Sequence, residues 1–139
     1  MAGPIIYVDR SKIADGQLAE LKRRIDELAT FVEENEPRVL AYEVYFDEAT
    51  NLMTVLHVHP DSASLASHFA IAGSAFGRFR DLLRMRSIDV YGRPDDEVIR
   101  LIRAKAADLG GGSVTVHEHH SGFLQVPPSR QAEGTEYGR

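Results

Sequence analysis

The apolar positions of this chain change rhythm along its length, and each rhythm predicts an element. Pro4 to Asp9 is a short β-branched run that predicts a first strand. From Gln17 to Glu34, Leu18, Leu21, Ile25, Leu28 and Val32 recur at three–four spacing, which predicts an amphipathic helix. Asp15 is placed to cap it, Gly16 to ease the turn into it, and Pro37 to stop it. Val39 to Phe46 and Leu52 to His59 predict two strands around a polar break, Asp47 to Asn51, of hairpin length. Pro60 and Asp61 end that hairpin and open a second helix. Its stripe is Leu65, Phe69, Ala72, Phe76, Phe79 and Leu83, weakened at Gly73 and Gly77. Arg86 to Gly92 predicts a fourth strand. Asp95 to Leu109 predicts a third helix, with Val98, Leu101, Ile102 and Leu109 as its apolar side, closed by Gly110-Gly111-Gly112. Ser113 to Val126 predicts a fifth strand.

The first six elements read β-α-β-β-α-β, the split βαβ order of an α+β ferredoxin-like domain with an antiparallel sheet. A single domain over 1–126 follows, with a core at 4–92, an extension at 93–126, and a proline-, glycine- and charge-rich stretch at 127–139 expected to be a disordered tail. Right-handed crossovers put both core helices on one sheet face and leave the other bare. Alternation divides the third strand into Leu52, Thr54, Leu56 and Val58, assigned to the helices, and Met53, Val55, His57 and His59, assigned to the bare face. The same reading gives the bare face Ile5, Tyr7 and Asp9, then Ser87, Asp89 and Tyr91, and on the second strand leaves two sets open, Leu40, Tyr42, Val44 and Phe46 or Val39, Ala41, Glu43 and Tyr45. A face so mixed predicts a homodimer in which a second copy covers the apolar part and the polar groups line a small-molecule cavity.

Composition narrows the function. At 139 residues, 43% hydrophobic and 27% charged, the chain is an ordinary globular one, and its net charge of -5 offers no general field for nucleic acid. It has no cysteine, hence no thiolate nucleophile and no Cys-type zinc site. Its apolar runs are too short for a membrane span, and its first residues lack the pattern of a signal peptide, so a cytoplasmic location is expected. No cofactor is called for.

The histidines carry the candidate chemistry. His57 and His59 share one strand face about 7 Å apart, and His68 lies beside the stripe of the second helix near the end of that strand. Imidazole titrates near neutrality and suits proton transfer. His57, His59 and His68 are therefore the candidate catalytic residues. Tyr7, Tyr45, Asp89 and Tyr91 are the candidate ligand-binding ones, and Tyr42 is a further phenol on the same sheet. Two alternatives stand beside catalysis: wall residues of a non-catalytic ligand-binding or stress-related barrel, and a histidine metal site with Asp89 or Glu43 as a carboxylate. No metal ligands are assigned. His117, His119 and His120 read as a solvent-facing or dimer-edge strand. Arg78, Arg80, Arg84, Arg86 and Arg93 read as a solvated helix end. The glycine triplet lacks the lysine and following helix of a phosphate loop.

The segment Glu36-Pro37-Arg38-Val39-Leu40-Ala41-Tyr42-Glu43-Val44-Tyr45 resembles a stretch of the antibiotic biosynthesis monooxygenase-like family. Asp61 through Leu65 to His68 is similar to its second helix start, and Val90-Tyr91-Gly92 to its closing strand. The likeness covers residues 4 to 92. It implies a homodimeric α/β barrel with a pocket in each subunit, in a family where some members oxidise polyketide quinols without metal or flavin and others degrade haem. The chain departs from the family at Arg38, where glycine is usual, at His57, where glutamate is usual, and at His59, where an aromatic is usual. It has no tryptophan, and it carries Gly73 and Ala75 where the haem-degrading branch has tryptophan and histidine. The implied activity is cofactor-independent oxygenation of a small aromatic or quinol.

Overall fold

The computed structural model describes residues 3–125. Five strands and three α-helices follow one another as β1 (Ile5–Ile13), α1 (Leu18–Asn35), β2 (Ala41–Asp47), β3 (Leu52–His59), α2 (Ser62–Phe76), β4 (Leu83–Tyr91), α3 (Asp96–Asp108) and β5 (Ser113–His117). The sheet order is β2-β3-β1-β4-β5. β1 sits at its centre, antiparallel to both β3 and β4, and β5 joins the edge parallel to β4. The α+β ferredoxin-like arrangement is therefore present, with the extra helix and strand extending its sheet.

Several boundaries moved for identifiable reasons. β1 runs to Ile13, past the polar residues Asp9 to Lys12, because those residues still pair with β3 and β4. α2 stops at Phe76 and tightens into a 3-10 turn over Gly77–Phe79, so Leu83, assigned above to the helical stripe, opens β4 instead. Asp15 does not cap α1: its N-cap is Gln17, with no side-chain bond, while Gly16 takes the left-handed turn at φ 76°. Asp61 and Asp95 do cap their helices, accepting from the Ser64 and Val98 backbone N–H groups. β5 ends at His117, short of the strand predicted to Val126, and residues 118–125 leave the sheet. Residue 126 and the tail at 127–139 lie outside the described residues. Gly112 lets β5 begin tight against β4: a Cβ there would stand 2.7 Å from the Met85 carbonyl oxygen. No helix among the described residues is long and apolar enough to cross a membrane.

The core lies between the sheet and the three helices. Leu21, Ile25, Leu28 and Val32 of α1, Leu65, Ala72 and Phe76 of α2, and Val98, Ile102 and Ala106 of α3 are buried against it. On the sheet side the partners are Ile5, Tyr7, Met53, Val55, Ile88 and Val90. This corrects the face assignment. Directly paired residues share a face, and Tyr7 stands opposite both His57 and Val90. The set Met53, Val55, His57 and His59 therefore lies beneath the helices, as do Ile5, Tyr7 and Asp9. The open face carries Ile6, Val8, Leu56 and Val58, together with Tyr45, Asp89 and Tyr91. Hydropathy misled on β1 and β3 because the open face is the more apolar of the two.

Candidate functional site

Beneath the helices, β1, β2, β3, α2 and α3 bring a group of polar side chains into the core. Tyr7, His57, His59, His68, Asp9 and Glu36 are all buried, none more than 6% exposed. Such groups are costly in an apolar interior unless they pair. The pairing runs in three connected parts.

On the first, His57 Nδ1 and His59 Nε2 share a hydrogen at 2.8 Å, and His59 Nδ1 meets Ser64 Oγ at 2.9 Å. α2 begins directly after β3, so Ser64 in its first turn falls over the end of that strand. Burial, then the nearby His68, Lys105 and His59, hold the His57 imidazolium far below its ordinary pKa. His59 is pushed down to about 3, chiefly by burial and then by His68. Both rings are neutral at pH 7, so each has one donor and one acceptor nitrogen, and the chain from Ser64 to His57 can run in either direction.

On the second, His68 Nδ1 meets Glu36 Oε1 at 2.8 Å, with the two side chains 1% and 4% exposed. In this bond Nδ1 donates and the carboxylate oxygen accepts, which leaves Nε2 as the outward nitrogen of the ring. Both His68 Nε2 and Glu36 Oε2 are buried without a hydrogen-bond partner. The His57 and His68 ring centres are 4.9 Å apart, and Tyr42 packs against both rings.

On the third, the Tyr7 hydroxyl donates to Asp9 Oδ2 at 2.9 Å. Lys105 Nζ donates to Tyr7 Oη at 2.8 Å and to Asp9 Oδ2 at 3.2 Å. The ammonium also lies 4.3 Å from the Phe76 ring centre. Burial, then Asp9, raise the Tyr7 phenol well above its usual pKa, so it stays protonated. Burial, then the charges of Asp9 and Glu36, raise Tyr42 likewise, which puts this phenol in the field of both carboxylates. Tyr7 and His57 are in contact at 4.1 Å between ring centres, which joins this part to the others.

A cavity of about 30 Å³ lies beside the third part, lined by Asp9, Tyr42 and Lys105 among apolar residues such as Val55 and Phe76. Its size suits about one or two waters.

Of the residues singled out from sequence, His57, His59, His68 and Tyr7 come together here. Tyr45, Asp89 and Tyr91 do not. Tyr45 is 56% exposed on the open face of β2. Asp89 accepts from Arg10 at 3.3 Å and meets His117 Nε2 at 2.8 Å, and Tyr91 stacks on His117. His119 and His120 are exposed. Among the described residues no three His, Asp or Glu side chains are arranged to hold a metal ion, and His57 and His59 turn nitrogens toward each other rather than toward a common point. The sequence reading missed Glu36, Asp9 and Lys105 as site residues. Lys105 had a signal: with Val98, Ile102 and Leu109 it completes a stripe at helical spacing, so it points the same way as the core residues.

No protein-family model and no curated protein matches the chain by sequence. Solved structures match by fold. MupZ from Pseudomonas fluorescens superposes with a TM-score of 0.69 at 17% identity, over 90% of this chain and 91% of that one. A candidate antibiotic biosynthesis monooxygenase from Bacteroides thetaiotaomicron gives a TM-score of 0.56 at 21% identity, over 68% and 90%. One from Caulobacter crescentus is 28% identical over 55% of this chain and 78% of its own, with a TM-score of 0.49. The first two superpositions give the chain the ferredoxin-like fold of the antibiotic biosynthesis monooxygenase-like structures, the likeness expected from its Glu36 to Tyr45 segment.

Proposed function

We propose that this small-molecule-binding domain is a cofactor-independent oxygenase acting on an electron-rich phenol or quinol, with His68 as its base. The observation that carries this reading is the buried Glu36–His68 dyad, whose Nε2 has no partner. Glu36 fixes the ring and supports the imidazolium that forms, the role of the third group in any oriented base. His68 takes the phenolic proton. The resulting phenolate is electron-rich enough to pass an electron to dioxygen, the oxidant. Where the reacting ring carbon bears one hydrogen, that hydrogen and the phenolic one leave with one oxygen atom as water, and the other oxygen atom becomes the new carbonyl of the quinone. Tyr42 offers a neutral phenol donor to a developing oxyanion.

Oxygen uptake with a panel of small quinols tests this. Uptake above background, falling by about 100-fold or more in His68→Gln, is the expected outcome. Wild-type protein with no uptake on any quinol, or a His68→Gln variant as fast as wild type, would sink it. A non-catalytic ligand-binding domain is the reading left in the first case.

The open sheet face supports a second part of the proposal, a homodimer formed by pairing two such faces. Ile6, Leu56 and Val58 are only half-buried there, and Tyr45 and Tyr91 are exposed.

A further inference from the structure

A shallow groove of about 290 Å³ runs over the outer surface between α1 and α2. Phe31 and Ile71, 40% and 39% exposed, stand among the residues lining it. Leu28 and Phe79 line this groove and also the buried cavity beneath it. The two spaces thus share two side chains. Phe79 is carried by the 3-10 turn that starts at Gly77, not by the body of α2. Its position can adjust without unwinding a long helix.

At the inner end, Asp9 and Lys105 present an acceptor and a donor 3.2 Å apart with no net charge between them. Lys105 spends two hydrogens on Tyr7 and Asp9 and keeps a third. A ligand anion would satisfy Lys105 and be repelled by Asp9. A ligand amine would satisfy Asp9 and be repelled by Lys105. A hydroxyl answers both, accepting from the ammonium and donating to the carboxylate. Apolar side chains (Ile25, Met53, Val55 and Phe76 among them) fill the rest of the wall.

We propose that the α1–α2 groove is the mouth of the buried cavity, that Leu28 and Phe79 form the gate between them, and that the joined space binds an aromatic alcohol whose hydroxyl sits between Asp9 and Lys105. The inference rests on reading this interior as a ligand site and adds the entrance and a recognised hydroxyl, distinct on a quinol from the one that meets His68. An aromatic ring exceeds the present cavity, so the gate side chains move aside on entry.

2-Naphthol and naphthalene are suitable probes, with binding read by equilibrium dialysis, which does not depend on the tryptophan content of a variant. The naphthol is expected to bind at least about 10-fold more tightly than naphthalene, as a site that hydrogen-bonds a hydroxyl rejects the analogue lacking it. The Asp9→Asn/Lys105→Met double variant, which removes both charges together, is expected to erase that preference. Phe79→Trp, which overfills the gate, is expected to weaken both probes by a similar factor of about 10 while keeping the preference and the far-UV circular dichroism. Equal binding of the two probes, no binding of either, a preference surviving in the double variant, or a Phe79→Trp protein that binds as wild type would each overturn the proposal. Should the double variant fail to fold, the wild-type preference and Phe79→Trp decide. Oxygen uptake is measured separately. Naphthol bound as described without turnover of any quinol supports this site and removes the oxygenase reading, and quinol turnover unaffected by Phe79→Trp does the reverse.

Discussion

Asp9 and Asp89 occupy neighbouring strands of one sheet, and each meets a cation and an aromatic ring. Asp9 is 4% exposed, with Lys105 and the Tyr7 hydroxyl on the same carboxylate oxygen. Asp89 is 21% exposed, with Arg10 and His117 on different oxygens and Tyr91 stacked beyond. The chemistry is nearly the same; the surroundings are not. Under the helices a charge depends on its partner, because water cannot replace it. On the open face water replaces either partner at small cost. Ionisable groups in the first setting constrain each other's protonation and position, which is what a reacting site requires.

The contrast breaks most sharply by removing the cations. Lys105→Met strands a buried carboxylate and is expected to cost about 3–5 kcal/mol in chemical denaturation. Arg10→Met is expected to cost less than about 1 kcal/mol. Similar losses in the two variants would mean that Asp9 is as well hydrated as Asp89. Acid sharpens the same contrast. The unfolded chain protonates its histidines near pH 6.5, whereas folded His59 resists down to about 3 and folded His57 resists as well. The unfolded state therefore binds more protons as pH falls below 6.5, and stability falls with it. Each ring contributes up to about 1.4 kcal/mol per pH unit in that window and nothing above it. Thermal melts of wild type and His59→Gln between pH 7 and 4 check this: the variant should show a shallower loss, and parallel curves would count against a neutral buried His59. The gentlest expected effect is on the open face. Leu56→Glu should leave the melting curve of the domain nearly unchanged while moving its scattering mass from two chains to one. A single-chain mass in the wild type would count against the pairing of these faces.

The order of elements was legible because it depends on local rhythm: the α1 stripe, the Asp61 cap and the β2–β3 hairpin each declare themselves within a few residues. The face assignment was not, because it depends on register. Nothing local to Leu52–His59 says that His57 stands opposite Tyr7, and without that pairing the more apolar set is the natural choice for the core. The three histidines and Tyr7 could be picked out by type and spacing. Glu36 stood inside the stretch that carried the family likeness, yet its partner His68 is 32 residues away, and only folding joins them. Lys105 looked like one more charge on an amphipathic helix. The helix geometry that turns it inward was in its spacing, but a lysine on a core stripe is discounted when residues are sorted by polarity alone.

The bond between Lys105 and Tyr7 spans 98 residues. The first four strands and the first two helices are complete by Tyr91, so the strands on either side of Asp9 precede α3 in the chain. Until α3 docks, Asp9 has no neutralising cation and the sheet's centre remains an unfavourable place to close. The last helix is thus the step that makes the interior electrically acceptable. Any segment of the chain that ends before residue 105 lacks the partner on which this buried carboxylate depends.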